Sequence, residues 1–120
     1  MSALWDFTAM SEDDRRARSR EVAERLGENL RRARRRVGLS QEQVAIRASL
    51  HRTEVGLLER GGRVARVDTL VQLAGAMSVH PAELLDGIGW TPGGVQGGSF
   101  EFEAQARPPR RPPTEDPAPR

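Results

Sequence analysis

The stretch over residues 39–61, LSQEQVAIRASLHRTEVGLLERG, constrains the fold of this chain more than any other. Ser40 and Gln43 stand three positions apart, which is the spacing of a capping box at the start of a helix. Ser49 then interrupts the helical pattern, and a second short helix is predicted over residues 52–59. The inward positions of the pair are small or aliphatic: Val44, Ala45, Leu50, Val55 and Leu58. The stretch therefore predicts two short helices joined by a tight turn.

Three further helices are predicted around this pair. Apolar residues spaced by three or four positions predict an amphipathic helix that ends at Gly38: Val22, Leu26, Leu30, Ala33 and Val37. A similar stripe over residues 67–79 predicts the fourth helix: Leu70, Leu73, Ala74 and Met77. Pro81 at a first helical position predicts a short fifth helix with two inward residues: Leu84 and Leu85. The elements together predict an all-α, five-helix bundle over residues 21–88.

The segments on either side of the bundle differ from it in composition. Residues 1–20 are expected to form an N-terminal arm, in which a helix can begin near residue 12. Residues 89–104 are Gly-rich, and Phe100 and Phe102 alternate with acids, which suggests a short extended pair that could fold as a β-hairpin. Residues 105–120 hold six Pro and no apolar residue larger than Ala, so a disordered Pro/Arg tail is expected.

Composition restricts the classes of function. The chain has no Cys, which excludes disulfides and thiolate metal sites, and two His without a clustered acid do not predict a metal site. The sequence shows neither a bilayer-spanning run of about 20 apolar residues nor a secretory signal. A cytoplasmic protein without a membrane partner is therefore expected. No nucleophile stands with His and Asp at a recognisable spacing, so we expect neither an enzyme nor a cofactor.

The basic charge is concentrated around the two-helix stretch. All 19 basic residues are Arg, yet the net charge of the whole chain is only +2. Over residues 14–66, 15 Arg stand against 7 acids, an excess of eight positive charges. Arg suits bidentate contacts with phosphate and guanine, although a bias in genomic base composition would also remove Lys. The distribution is that expected of a surface that binds the phosphates of double-stranded DNA.

Four segments carry a resemblance to a known family: LSQEQVAIRA, LLERGGR, DTLVQLAGAM and VHPAELL. In this order and spacing, over residues 26–85, they resemble the Cro/C1-type (XRE-like) helix-turn-helix domain. The resemblance implies a λ-repressor-like DNA-binding bundle whose recognition helix enters the major groove. It implies a transcriptional regulator, with repression as the expected sense, that binds DNA as a homodimer. It also implies a structural ion pair between Arg34 and Glu59.

The candidate DNA contacts combine this resemblance with polar positions that face outward. The resemblance assigns contacts at the start of the second helix and along the recognition helix. To these we add arginines of the first helix, and of the loop after the recognition helix, as contacts with phosphates. The full set is Gln41, His51, Arg52, Thr53, Glu54, Leu57, Arg32, Arg36, Arg60 and Arg63. Arg52 suits either guanine or a phosphate, and Thr53 suits either thymine or a phosphate. For each residue, a base contact and a phosphate contact both remain open.

Several positions depart from the family pattern. Ser49 stands where the turn usually has Gly, and a positive φ there would cost on the order of 1 kcal/mol. His51 and His80 replace the usual helix caps. Gly56 and Leu57 stand in the recognition helix where polar contacts are common. These departures bear on single contacts and leave the expected fold unchanged.

Two other classes of function remain open. One is an antitoxin-like regulator, in which the N-terminal LWDF or the C-terminal segment binds a partner protein. The other is a protein-interaction module that uses this scaffold without binding DNA. In a homodimer, the expected contacts are Leu84, Leu85, Ile88 and residues 90–102. Binding to double-stranded DNA that weakens steeply with salt would separate a DNA reader from both alternatives.

Overall fold

The computed structural model describes residues 12–95 and 97–104. These residues form five helices and two strands: α1 (Glu12–Arg36), α2 (Gln41–Ala48), α3 (Arg52–Glu59), α4 (Val67–Met77), α5 (Pro81–Leu84), β1 (Ile88–Thr91) and β2 (Ser99–Phe102). The predicted helical class is confirmed. No helix in this part of the chain is long and apolar enough to cross a membrane. The LWDF segment and the Pro/Arg tail lie outside the described residues.

The core forms where one apolar face of each helix meets the others. α3 packs between α1 and α2, while α4 packs on α2 and carries α5 back to α1. The side chains that meet there are small or aliphatic: Leu26, Leu30, Ala33, Val44, Ala45, Ala48, Val55, Leu58, Leu70, Leu73, Ala74, Ala76, Met77 and Leu84. This arrangement leaves the two short helices of the central stretch held from behind by α1 and α4.

Leu50 is half-buried and packs against this core, but three other residues predicted to face inward do not. Val22 is half-buried, and its neighbour Ala23 is buried in its place. Val37 is 37% exposed because it follows the last residue of α1, where Gly38 (φ 77°) turns the chain. Leu85 is 45% exposed because α5 has already ended and the helical period no longer applies. The predicted stripes were therefore wrong at Val22, within α1, and at Val37 and Leu85, which each follow the last residue of a helix.

Two helices end on a serine with left-handed backbone. Ser49 has a φ of 59° and its N–H bonds to the carbonyls of Ala45 and Ile46 at the end of α2. Ser78 has a φ of 57° and caps α4, whose last residue, Met77, lies two positions before the predicted end at 79. The left-handed region costs an L-residue about 1–2 kcal/mol. The positive φ considered for Ser49 from the sequence is therefore present, and its energetic cost applies.

α1 is longer than its amphipathic pattern predicts. It is continuous over 25 residues, which corresponds to roughly 37 Å of helix, and residues 12–20 are its first turns. Glu12, Asp13 and Asp14 lie in the first turn, where negative charge is favourable at the positive end of the helix dipole. The segment predicted as an arm is thus helical from residue 12 onward and runs directly into the core-facing part of α1.

The β-hairpin packs against α1. Trp90 and Phe100 are cross-strand partners whose rings meet edge to face, with centroids 4.9 Å apart. The guanidinium of Arg25 lies 5.7 Å from the centre of the Phe102 ring and donates a 2.7 Å hydrogen bond to the carbonyl of Glu103. The two-stranded sheet, which would be marginal alone, is therefore attached to the long first helix.

Candidate nucleic-acid interface

α3 buries one face and presents its N-terminal turn to solvent. Val55 and Leu58 are 0% and 1% exposed, whereas Arg52 and Thr53 are exposed. His51 caps the helix, because its Nδ1 accepts a 3.1 Å hydrogen bond from the Thr53 N–H. A positive charge, a hydroxyl and the N–H groups of a helix start therefore lie together on an outer surface, a combination that suits both base edges and phosphates.

A polar network at the C-terminal end of α3 ties it to α1 and α2. The Arg34 guanidinium donates to both carboxylate oxygens of Glu59, at 2.5 and 3.0 Å, and also to the carbonyl of Leu39 at 2.9 Å. Gln41 Nε2 donates to Glu59 Oε1 at 2.9 Å. Arg31 lies 3.6 Å from the same oxygen. The carboxylate, whose side chain is 0% exposed, thus sets the angle between three helices.

The charge state of this network follows from its partners. Burial by itself would raise the pKa of Glu59, but hydrogen bonds from Arg34 and Gln41 and the charges of Arg34 and Arg31 lower it below its ordinary value. The hydrogen bond to Glu59 outweighs desolvation and raises the pKa of Arg34. Both groups are therefore charged at neutral pH, and the pair is ionic.

Gly27 lets α1 and α3 approach closely. A Cβ at this position would lie 2.5 Å from the carbonyl oxygen of Leu58 and 2.6 Å from that of Glu59. Real Cβ atoms do not come so near to backbone oxygens, so any larger residue would push the two helices apart. The distance between α1 and α3 is set by this glycine, together with the Arg34–Glu59 pair about two turns further along α1.

Gly56 has a similar role on the outer side of α3. A Cβ there would lie 3.2 Å from Arg60 Nη1 and 3.6 Å from Gln41 Oε1. Gln41 and Arg60 therefore lie side by side over α3, and Gln41 is half-buried rather than free at the surface. Two of the proposed DNA contacts are brought together by a glycine that the sequence pattern treated as a departure.

The arginines of α1 divide between two sides of the helix. Arg32 Nη2 donates to Asn29 Oδ1 at 2.9 Å and lies 3.8 Å from Asp86, and Arg36 pairs with Glu83 of α5. Of these two predicted phosphate contacts, Arg36 is therefore directed at α5 and Arg32 at the turn that follows it. Arg31 is exposed instead beside Glu59, at the end of α3. The sequence does not show which of these arginines is exposed beside α3, because they are the same residue type within two turns of one helix.

The loop after α3 also engages two predicted contacts. Arg63 Nη2 lies 2.7 Å from Glu54 Oε2, so the negative charge on the recognition helix is neutralised within the protein. The Leu57 side chain lies over Gly62, where a Cβ would come 2.2 Å from Leu57 Cδ1. Both side chains face the loop over residues 61–66, whereas Arg52 and Thr53 face solvent.

Comparison with known proteins identifies the domain. The model of the family described as helix-turn-helix domain matches residues 25–86, more than half of the chain. The chain belongs to the Cro/C1-type helix-turn-helix family. The resemblance inferred from the sequence is thereby confirmed.

Several Cro/C1-type relatives are similar over most of their own length. The HTH-type transcriptional regulator y4dJ of Sinorhizobium fredii is 39% identical over 71 residues, which are 59% of this chain and 92% of that protein. Control protein C.SmaI of Serratia marcescens is 42% identical over 65 residues, 54% of this chain and 77% of that protein. Restriction-modification controller protein C.AhdI of Aeromonas hydrophila is similar in structure, with 39% identity, a TM-score of 0.51, and 52% of this chain and 94% of that chain covered.

Sequence reasoning missed residues that hold the Cro/C1-type domain together. Asn29 is 1% exposed, and its amide donates to the carbonyls of Leu84 and Asp86. A polar residue in an amphipathic helix normally predicts a solvent-facing position, and Gly27 normally predicts a weak point in a helix. A signal existed in both cases: each lies within one position of the apolar stripe formed by Leu26 and Leu30.

Proposed function

We propose that this protein is a sequence-specific transcriptional regulator that places α3 in the major groove of double-stranded DNA. The observation that carries the proposal is the presentation of the exposed Arg52 and Thr53 at the capped start of α3, backed by the buried Glu59 network. Rigid presentation matters because base edges are read by side chains that must hold a defined angle to the groove. The names of the relatives, a transcriptional regulator and control proteins, support the same function.

The residues divide into two roles under this proposal. Arg52 and Thr53 contact base edges, because they are the exposed polar side chains in the first turn of α3. Gln41, Arg60 and Arg31 contact the phosphate backbone from either side of α3, near the glycine at position 56 and the carboxylate of Glu59. Glu54, Leu57, Arg32 and Arg36 support the domain from within, since each is engaged by another part of the protein.

The decisive experiment is a selection of bound fragments from a pool of random double-stranded DNA, followed by affinity measurements over a range of salt concentrations. The wild-type protein is expected to enrich a defined sequence, with an affinity that falls linearly on a log–log plot against salt. Arg52→Ala should reduce discrimination at one base pair by roughly 10-fold to 100-fold, because a bidentate arginine contact contributes about 1–3 kcal/mol.

A matched control removes the same charge elsewhere. Arg47 is exposed in the last turn of α2 and is not part of α3. Arg47→Ala should shift the affinity for all sequences together, or leave it unchanged, without altering the order of preference. If Arg52→Ala and Arg47→Ala retain the same ranking of sequences, α3 does not read bases. If the wild-type protein enriches no sequence, the DNA-binding proposal itself fails.

Homodimer formation belongs to the same proposal. Helix-turn-helix dimers place two recognition helices about one turn of DNA apart, roughly 34 Å, and so bind two-fold symmetric sites. Of the contacts expected from the sequence, Leu84 is buried within the domain, whereas Leu85 and Trp90 are 45% and 50% exposed. Light scattering is expected to give the mass of a dimer for the wild-type protein and of a monomer for Leu85→Glu. A wild-type protein that binds a two-fold symmetric site as a monomer would contradict this.

A further inference from the structure

The first half of α1 is an addition to the family domain that the structure holds firmly in place. The family match begins at residue 25, whereas α1 begins at Glu12. We use the term helical extension for residues 12–24. The hairpin segment, which follows the family match, packs against one side of α1. Arg18 Nη1 donates a 3.3 Å hydrogen bond to the carbonyl of Gly98, and Arg25 Nη1 donates a 2.7 Å hydrogen bond to the carbonyl of Glu103. Side chains of the extension are therefore presented at defined positions.

The other side of the helical extension faces the loop that follows α3. Arg16 and Arg20 are each two positions from Arg18, about 200° around the helix, so they are directed away from the hairpin. Gly61 lies against α1, where a Cβ would be 3.0 Å from Glu24 Cα. Between the extension and residues 61–64 runs a groove whose basic lining residues are Arg15, Arg16, Arg20 and Arg63, which we call the arginine groove.

The arginine groove lies next to α3. Arg20 lies seven positions before Gly27, on the same face of α1, and Gly27 touches the carbonyls at the end of α3. Arg63 belongs to the groove and pairs with Glu54 of α3. Arg63 is neutralised by Glu54, and the other three arginines of the groove stand against two acids, Glu12 and Glu24, so an excess of one positive charge remains.

We propose that the arginine groove binds phosphates of double-stranded DNA beyond the bases that α3 reads. The proposal rests on the proposed function, because the groove meets DNA only if α3 does. DNA is favoured over an acidic protein segment because Arg63 of the groove contacts Glu54 in the first turn of α3, so a duplex in contact with that turn is already adjacent. Exposed guanidinium groups also match phosphates in bidentate geometry. These contacts add affinity without adding sequence preference.

The test compares full-length wild-type protein with Arg16→Ala/Arg20→Ala on the selected duplex, both with and without about 10 flanking base pairs on each side. These two exposed arginines lie outside the apolar core and away from the hairpin contacts. On the long duplex the double variant is expected to bind on the order of 10-fold more weakly at low salt. Its slope of log affinity against log salt should be smaller by about two. On the trimmed duplex the two proteins should bind alike.

Two controls separate the possible outcomes. Arg16→Lys/Arg20→Lys retains the charge and should keep most of the salt slope, which also guards against a folding defect in the alanine variant. Arg47→Ala, which lies outside the groove, should show the same loss or none on long and trimmed duplexes. Equal salt slopes for the wild-type protein and the alanine variant on the long duplex would overturn the proposal while leaving reading by α3 intact. If the alanine variant loses self-association but keeps its affinity for DNA, the proposal is also overturned, and the groove is then a contact between two copies of the chain.

Discussion

Asn29 on α1 and Leu84 at the end of α5 are joined by a buried hydrogen bond of 3.0 Å between the side-chain amide and the backbone carbonyl. The same amide donates a second bond, of 2.9 Å, to the carbonyl of Asp86. α5 has only four residues, so its carbonyl groups have few partners within the helix. One side chain of α1 therefore completes the C-terminal end of α5 and fixes the start of the hairpin segment.

Replacing Asn29 should be severely destabilising. Asn29→Ala leaves two carbonyls without their donor, and we expect the free energy of unfolding to fall by about 3 kcal/mol. Urea denaturation followed by circular dichroism would measure this. Arg47→Ala replaces an exposed side chain and should change the free energy of unfolding by no more than about 0.5 kcal/mol. A loss at Asn29 as small as that of the control would show that water replaces the amide without penalty.

The stability of the domain should fall on acidification because of Glu59. Its pKa is lowered in the folded protein by Arg34, Gln41 and Arg31 despite burial. A carboxyl with a lowered folded pKa contributes stability that is present above its ordinary pKa, near 4.3. That contribution is lost as the pH falls through the folded value, because the unfolded chain then binds the proton first.

Glu59→Gln removes this titration. The variant should be less stable than the wild-type protein by about 3 kcal/mol at pH 7, since it leaves Arg34 without its buried partner. Its free energy of unfolding should also change less with pH below about 4.5. Urea denaturation from pH 7 to pH 3 would give both quantities. Parallel pH profiles for the two proteins would mean that other carboxyls account for the acid response.

Two glycines inside helices should respond to alanine in opposite directions. At Gly27 a Cβ would meet backbone oxygens of α3 at 2.5 and 2.6 Å, so Gly27→Ala should destabilise by about 1–3 kcal/mol. At Gly75, exposed on α4, a Cβ would meet nothing within 4 Å. Gly75→Ala should therefore stabilise by about 1 kcal/mol through helix propensity. Thermal melts of both variants suffice, and a shift of the same sign for the two would contradict the packing of α1 on α3.

The left-handed serines offer a route to a more stable protein. Ser49→Gly and Ser78→Gly should each raise the free energy of unfolding by about 0.5–1 kcal/mol, because glycine adopts a φ near 60° without strain. Gly38→Ala, at a φ of 77° with open space around the Cβ, is the matched reverse change and should destabilise. Chemical denaturation of the three variants would measure this. If Ser49→Gly is neutral, the turn is not strained by serine.

Local chemistry made much of this fold predictable. The Ser40–Gln43 capping box is formed, with both of its hydrogen bonds near 3 Å, because it depends only on residues three positions apart. α3 begins and ends at the predicted residues, 52 and 59, since a cap and a pair of glycines bound it. His51 and His80 act as caps, each accepting a backbone N–H at Nδ1. Such features are encoded within one turn of chain.

The candidate interface was less predictable, because the sequence does not show which way an arginine on a helix is directed. Arg31 and Arg32 are neighbours, yet Arg31 lies beside Glu59 of α3 while Arg32 is held by Asn29 and Asp86. Glu54 was among the candidate DNA contacts, but Arg63 of the following loop donates a hydrogen bond to its carboxylate. Apart from the Arg32–Asn29 bond within α1, these contacts join residues 9 to 54 positions apart, which no local pattern relates.

By itself, the sequence determined the helix-turn-helix, its caps, its family and the Arg concentration around it, because helix starts, glycine stops and apolar spacing act over a few residues. Only the tertiary structure decided which arginines are engaged by acids of other elements and which are exposed beside α3. It also decided that residues 12–24 form a helix gripped by the hairpin, and that Asn29 and Gly27 join α1 to its neighbours. The physical reason is that hydrogen bonds and close backbone approaches between distant segments are set by how the helices pack, and packing is a property of the whole core.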